Sequence, residues 1–379
     1  MYTSFILLMI LFFLLLWERL SLNKSIRSIP TRILVNGTRG KSTVVKYIAR
    51  LLRNNGIITT GKVTGVIPTF IKHDGSTHEI KRRGGARITE QFNVIRKAAK
   101  LNSDALVIEC MSIKSELQQI ESRVLKPQFY IITNIREDHL EEMGKRPEEW
   151  IKSVCSAIPN NSTVITSERE YTTEIKRYAE KSGSKFIHAD EIDFQFVKAG
   201  KPNLILDNIK IALLIARELN LETGQFLEDI ILDKEKSIIQ KTTINGKAAN
   251  FINAFAVNDV PSAEELMDGL RKRSMLDNDT IIIFNSRADR PLRSIKFANW
   301  FSRIKNISRF VITGDNIQNT IRAMKKVGIN KNSIVKWNNK QSKNAKEILK
   351  EYINEDSTII GIGNIKGNGF GIINSMNQQ

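Results

Sequence analysis

The sequence predicts an α/β protein made of two open, mainly parallel sheets behind a short apolar helix. Three observations carry that reading. Short, fully apolar strand-like runs alternate with segments of helical period along most of the 379 residues, the pattern of parallel strands covered on both faces. Residues 33–43, Ile-Leu-Val-Asn-Gly-Thr-Arg-Gly-Lys-Ser-Thr, set a glycine turn between a strand and a helix. An unbroken apolar run, Phe5 to Trp17, stands near the start of the chain.

The apolar run comes first. As a helix it reaches about 20 Å, short of the ~30 Å hydrocarbon core of a bilayer. It lacks the charged leader and small-residue cleavage site of a signal peptide. Trp17 sits where an aromatic belt would, and Arg19, Lys24, Arg27 and Arg32 follow it. That charge asymmetry predicts a short membrane anchor over residues 1–20, completed by partner helices, with the rest of the chain in the cytoplasm. Residues 21–32 read as a polar linker.

The next elements run Ile33–Val35 (strand), Ser42–Asn54 (helix), Ala86–Leu101 (helix), Asp104–Met111 (strand), Gln128–Thr133 (strand), Thr163–Ser167 (strand) and Asn208–Leu221 (helix). A second α/β unit begins near residue 240, and the stretch 224–245 is the candidate boundary, giving expected domains 21–240 and 241–379. The second contains the strands Lys247–Asn253, Thr280–Asn285, Phe310–Thr313 and Thr358–Ile362. Its expected helices are Ser262–Arg271 (Ser262 as N-cap), Ser294–Ile304, Gln318–Val327 and Asn344–Asn354.

Composition bounds the function. A hydrophobic content of 41% with eight prolines describes a globular chain. The net charge of +18 favours a polyanionic partner, an anionic membrane face or an acidic polymer. Lysines and arginines are spread along the whole length and no basic-aromatic platform is visible, which argues against nucleic acid. Cys110 and Cys155 have no metal-ligand spacing and read as buried thiols in a reducing compartment.

Three segments carry chemistry, and the ends of parallel strands are where open sheets bind ligands. The first is the glycine turn. Gly37 and Gly40 let the backbone wrap phosphate oxygens, the helix N-terminus points its N–H groups at them, Lys41 adds a point charge and Ser42 offers a hydroxyl to Mg²⁺. A full Walker pattern wants glycine at position 35, where Val35 stands. The second is Glu109, a carboxylate closing an apolar strand and a candidate metal ligand. The third is Thr133-Asn134-Ile135-Arg136-Glu137-Asp138-His139-Leu140, which gathers polar groups just past a strand and offers His139 with neighbouring carboxylates to hold its tautomer.

Taken together, Gly37-Thr38-Arg39-Gly40-Lys41-Ser42-Thr43, Glu109, and Thr133-Asn134-Ile135 with Asp138-His139-Leu140 resemble the Mur-ligase superfamily of ATP-dependent amide ligases. The resemblance implies an α/β fold with a P-loop central domain and a smaller C-terminal Rossmann-like α/β domain, here preceded by a short N-terminal membrane helix. It implies ATP and Mg²⁺ as cofactors. Asn36, Gly37, Thr38, Arg39, Gly40, Lys41, Ser42 and Thr43 would hold the phosphates. Ser42 and Glu109 would bind one metal ion and His139 a second. Asn208 resembles the family asparagine near the adenine site. Asn285-Ser286-Arg287-Ala288-Asp289-Arg290 resembles the family's Asp-Arg segment near ATP, so Arg287 and Asp289 join the nucleotide set. Lys41, His139, Arg287 and Arg290 join the catalytic one. Asn253 to Asp259 looks like the start of the C-terminal domain, with Asn253 and Asn258 as substrate contacts, and Gly361-Ile362-Gly363-Asn364 like a late glycine segment. The family's carboxylated lysine has no clear counterpart; Lys198 and Lys201 are candidates without a motif.

Two departures narrow the resemblance. The glycine turn stands so early that no domain for a nucleotide-linked sugar precedes it, and an apolar helix takes that place. The pattern resembles most the membrane-associated ligases that polymerise glutamate through its γ-carboxylate. That implies glutamate and the growing poly-γ-glutamate chain as substrates, with Arg82, Arg83 and Arg87 around Gly84-Gly85 as carboxylate binders. It also implies membrane partner subunits, possible homo-oligomers and no nucleic acid. Alternative readings are a folate-type polyglutamyl ligase and a membrane-tethered P-loop ATPase that binds nucleic acid.

Overall fold

The computed structural model describes residues 2–377 apart from 66, 83, 138–139, 193–202, 236–238, 273, 277–278 and 339–343, and leaves out the side chains of 140–141, 203–205 and 231–235. Arg83, His139, Lys198 and Lys201, all singled out from the sequence, lie outside the described residues. The chain folds as two units that divide between Leu227 and Glu228.

The first unit is built on an eight-stranded sheet. Its strands are β1 (Thr31–Asn36), β2 (Thr59–Val63), β3 (Thr69–Ile71), β4 (Thr77–Glu79), β5 (Ala105–Glu109), β6 (Phe129–Ile132), β7 (Thr163–Thr166) and β8 (Lys185–His188). The spatial order is β4-β3-β2-β5-β1-β6-β7-β8. Pairing is parallel from β2 to β8 and antiparallel at the β2–β3–β4 edge. β1 and β5 are buried along their apolar lengths because helices cover both faces. The order turns around β1, whose neighbours β5 and β6 come from later in the chain. The carboxyl ends of these three strands form the crevice where open sheets place ligands.

The N-terminal helix differs from the sequence expectation. It runs without a break over 26 residues, Tyr2–Arg27, about 39 Å at 1.5 Å per residue. It is therefore long and apolar enough to cross a membrane, with a mean hydropathy of 2.2 over its best window. Residues 21–27, read as linker, are helix. Leu22 and Ile26 pack into the apolar cluster of Val94, Ile95 and Ala98, and Glu18 bonds Arg96 at 3.0 Å. The polar residues hid that periodic pair of apolar positions. Phe5 to Trp17, by contrast, is exposed throughout its large side chains.

The second unit holds a six-stranded sheet of β9 (Ile239–Ile244), β10 (Lys247–Asn253), β11 (Thr280–Ser286), β12 (Ile307–Gly314), β13 (Ile334–Lys336) and β14 (Ser357–Ile362). Its order is β13-β12-β11-β14-β10-β9, parallel except for the β9–β10 pair. An aromatic group of Phe284, Phe297, Phe301 and Phe310 packs one face, with ring centroids 4.9–5.8 Å apart. The helix expected from Ser262 starts earlier, at Val260, and Asp259 caps it by accepting from the Ser262 N–H at 2.9 Å. Pro261 in its first turn costs nothing because those N–H groups have no intrahelical partner.

Candidate active site

β1 delivers the chain into a loop that two glycines make possible. Gly37 has φ +113° and Gly40 φ +83°. A Cβ on Gly37 would run into Thr133 Oγ1 and lie 2.8 Å from the Asn134 carbonyl, so the loop is threaded against the segment after β6. That segment clamps it. Thr38 N–H donates to the Asn134 carbonyl at 2.9 Å, and Arg39 N–H donates to Asn134 Oδ1 at 2.9 Å. Asn134 Nδ2 returns a bond to the Arg39 carbonyl at 3.1 Å. Thr38 Oγ1 accepts from Arg136 N–H at 3.0 Å. Asn36 anchors the loop's root: its Nδ2 donates to Gln118 Oε1 and Tyr130 Oη, both at 2.7 Å.

The helix Lys41–Asn54 opens directly after Gly40, with no side-chain cap. Its first N–H groups are therefore available to an anion. Lys41 Nζ folds back over the loop and donates to the Gly37 carbonyl at 2.6 Å. Thr43 follows in the same turn, half-buried.

Glu109 ends β5, and the register sets it opposite Val35, one residue before the loop root. It is 4% exposed, so its charge needs partners. Ser42 Oγ donates to Glu109 Oε2 at 2.6 Å, and Thr64 N–H donates to the same oxygen at 2.8 Å. A cavity of about 180 Å³ lies here, lined among others by Lys41, Thr64, Glu109, Met111 and Ser112.

The donor set suits a polyphosphate and a hard divalent cation. Two glycine positions leave room that a Cβ would fill, a helix start offers N–H groups, and a hydroxyl and a carboxylate stand side by side as oxygen ligands. Asn208 adds to this. It is 3% exposed and its Oδ1 has no hydrogen-bond partner, yet it lies 2.8 Å from where a Gly40 Cβ would stand. A buried amide oxygen without a protein partner is open to a donor from a ligand or a water. Among the described residues no group of three or more His, Cys, Asp or Glu side chains is placed to hold a metal ion by itself.

Behind the crevice runs a buried polar seam that the sequence did not reveal. Lys62, on β2, is fully buried and bonds Glu90 at 2.7 Å and Gln91 Oε1 at 2.9 Å. Burial pushes the Lys62 ammonium below its usual range, and Glu90 offsets part of that. Gln91 Nε2 donates to Glu121 Oε2 at 2.7 Å and to the Glu109 carbonyl at 3.1 Å. Glu121 accepts from Met111 N–H at 3.2 Å, from Ser112 N–H at 2.8 Å and from the Ser112 hydroxyl. Gln118 and Glu121 share one face of a helix at i, i+3, the one signal that pointed inward.

Of the arginines expected to hold substrate, Arg82 gives its fork to Glu90, with bonds of 2.6 and 2.9 Å. Burial works against the Glu90 charge, but Arg82 and Lys62 together hold its carboxyl below the usual range. Arg87 is exposed and lines a separate cavity of about 400 Å³. Cys110 and Cys155 are buried free thiols; burial raises the first well above its ordinary value and the second to about 12.

In the second unit the Asn285–Asp289 segment, Gly314, Asp315 and Asn364 converge on a cavity of about 270 Å³ at the carboxyl ends of β11, β12 and β14. Asn285 Nδ2 donates to the carbonyls of Asn364 at 2.6 Å and Lys366 at 2.9 Å. Arg287 Nε donates to Asp289 Oδ1 at 2.7 Å. Burial opposes the Asp289 charge, yet Arg287 keeps the carboxyl below its usual range. Arg290 stands at the N-cap of the helix Pro291–Phe301. Asn253 ends β10 opposite Gly361, and Asn258 Oδ1 is buried without a partner.

Comparison with known proteins matches both units to described families. Residues 35–257 match the Mur ligase middle domain, and residues 238–379 match the poly-gamma-glutamate synthase CapB C-terminal domain. The chain is 29% identical over 352 residues to PGA synthase CapB of Bacillus subtilis (strain 168), covering 91% of this chain and 89% of that protein. It is 31% identical over 291 residues to the capsule biosynthesis protein CapB of Bacillus anthracis, covering 75% of this chain and 63% of that protein. Among solved structures, folylpolyglutamate synthase of Thermotoga maritima superposes with a TM-score of 0.61 at 15% identity, covering 93% of this chain and 91% of that one. The bifunctional folylpolyglutamate synthase/dihydrofolate synthase of Yersinia pestis, complexed with AMPPNP and Mn, gives 0.64 at 12%, covering 93% and 92%. At such identities these two share the fold.

Proposed function

We propose that this chain, which belongs to the Mur ligase family, is an ATP-dependent amide ligase that joins the γ-carboxylate of one glutamate to the amine of the next and so builds poly-γ-glutamate. Two relatives from Bacillus, named as a PGA synthase and as a capsule biosynthesis protein, support the reading. The observation that carries the reading is the contact of Ser42 with Glu109 beside the Lys41 loop.

Coupling a carboxylate to an amine in water needs an activated acyl group, and ATP supplies the phosphoryl group for it. Phosphoryl transfer asks the protein for positioning and charge neutralisation more than for covalent help. The loop N–H groups after Gly37 and Gly40 would hold phosphate oxygens, and Lys41, which lies over the Gly37 carbonyl, would supply a cation to the terminal phosphates. Ser42 and Glu109 would hold a divalent metal, Mg²⁺ in this reading, whose charge would offset that of the phosphates. Asn208 offers its free amide oxygen to the bound nucleotide. Asn134 and Arg136 keep the loop in register while it is loaded. The γ-linked product is a polyanion, which gives the +18 charge a role in holding it. The exposed apolar stretch from Phe5 to Trp17 supports a membrane location for the ligase.

The test is incorporation of labelled glutamate by membranes given ATP and Mg²⁺, with hydroxylamine trapping of the activated acyl group. Lys41→Ala is expected to abolish incorporation while the melting temperature stays within a few degrees. Undiminished polymer from that variant removes the reading.

A further inference from the structure

The cavity of about 400 Å³ along the helix Thr89–Lys100 is lined by Lys81, Arg82, Arg87 and Lys97 against two carboxylates, Glu79 and Glu90. Glu90 is already shared by Arg82 and the buried Lys62, so the cations dominate. Lys81, Arg87 and Lys97 are all exposed, and Lys97 Nζ lies 4.1 Å above the Phe70 ring that floors the site. The volume suits a small ligand or a few residues of a chain.

Two connections give the cavity its meaning. One leads outward: Asn93, on its wall, accepts from Arg96 at 3.4 Å, and Arg96 bonds Glu18 at 3.0 Å. Glu18 directly follows Trp17, the end of the exposed apolar run. The other leads inward through the buried seam. Glu90 bonds Lys62, Lys62 bonds Gln91, and Gln91 reaches Glu121 and the Glu109 carbonyl. A chain of polar contacts thus runs within one unit from the cavity to Glu109, whose carboxylate accepts from Ser42 at the start of the helix after the loop.

Resting on the ligase reading, we propose that this cavity is the holding site for the γ-glutamyl chain, gripping carboxylates of the polymer between the phosphate loop and the membrane helix. A polymer with one carboxylate per residue meets several separated cations at once, and each exposed cation adds to affinity in a salt-dependent way. The inward path favours the polymer over an anionic lipid headgroup, which would have no reason to be tied to Glu109. A grip at this place also keeps the chain beside the membrane helix after each addition.

The test uses the full-length protein in detergent and a fluorescein-labelled γ-glutamyl decamer and dimer. The Lys81→Gln/Lys97→Gln double variant is expected to weaken decamer binding roughly tenfold and dimer binding much less. Glu79→Lys, which adds a cation at the same wall, is expected to tighten the decamer. Decamer affinities equal to the unmutated protein's in both variants overturn the proposal. So does loss of binding to phosphatidylglycerol vesicles with decamer affinity intact, which assigns the site to lipid. The ligase reading fails separately, if the unmutated protein adds no labelled glutamate to the decamer in the presence of ATP.

Discussion

The Ser42 hydroxyl donates to the Glu109 carboxylate at 2.6 Å, across 67 positions of sequence. The contact ties the first turn of the phosphate-loop helix to the last residue of β5. Glu109→Gln keeps the size and an acceptor for Ser42 and Thr64 but removes the charge. We expect the variant to fold and to need at least about tenfold more divalent metal for half-maximal activity. A metal titration curve that superimposes on the unmutated one would refute the assignment of Glu109.

Gly37 cannot carry a side chain. Its φ is +113° and a Cβ would collide with Thr133 Oγ1 and the Asn134 carbonyl. Gly37→Ala is expected to cost about 1–3 kcal/mol of stability and to abolish nucleotide binding, because the clamp from Asn134 to the loop must open. Calorimetric titration with ATP beside a thermal melt checks both, and retained ATP affinity contradicts the expectation.

Glu90 joins Lys62 and Arg82, and its folded carboxyl titrates below the ordinary value. A depressed acid stabilises the fold above the unfolded value near 4.3 and loses that contribution as pH falls through the folded one. Glu90→Gln leaves the Lys62 ammonium buried without a carboxylate, at a cost of about 3 kcal/mol near neutrality. The stability gap between the two proteins should narrow as pH drops from 6 toward 3, read by urea denaturation. A gap that stays constant across that range would speak against the ion pair as its source.

The N-terminal helix has two halves with different duties. Removing residues 2–17 deletes only exposed side chains, so the remaining protein should keep its melting temperature and leave the membrane fraction. Removing residues 2–27 also strips Leu22 and Ile26 from Val94, Ile95 and Ala98. Burial of Ile26 and partial burial of Leu22 contribute roughly 2–4 kcal/mol, and the melting temperature should fall by several degrees or more. Equal melting temperatures for the two truncations would show that the docked half carries no load.

Much of the fold was legible because local pattern records it. The apolar strands β1, β5, β6, β11 and β14 stand out as short runs, and the glycine turn before Lys41, Ser42 and Thr43 announces the strand-turn-helix geometry through its backbone requirements alone. The antiparallel β3–β4 edge was not legible, since Thr69–Ile71 and Thr77–Glu79 have three residues each and no alternation to read. The expected helix Asn344–Asn354 shrinks to Ala345–Leu349 for the opposite reason: its charged residues favour helix locally, but among those described only Ala345 and Leu349 are buried within it. Arg82 read as a free carboxylate binder because nothing in the chain announces that Glu90, eight positions on, will occupy its fork.

The sequence by itself determined an α/β chain with a tight glycine turn between a strand and a helix, a strand-end carboxylate at Glu109 and an apolar N-terminal run, because dihedral preference and hydrophobic period are properties of neighbouring residues. Only the tertiary structure decided which strand lies beside β1, and with it that Ser42 touches Glu109, that Lys62 is buried among Glu90 and Gln91, and that Leu22 and Ile26 dock the apolar helix. Those pairings follow from sheet order and helix packing, where free energy depends on surfaces brought together from distant parts of the chain.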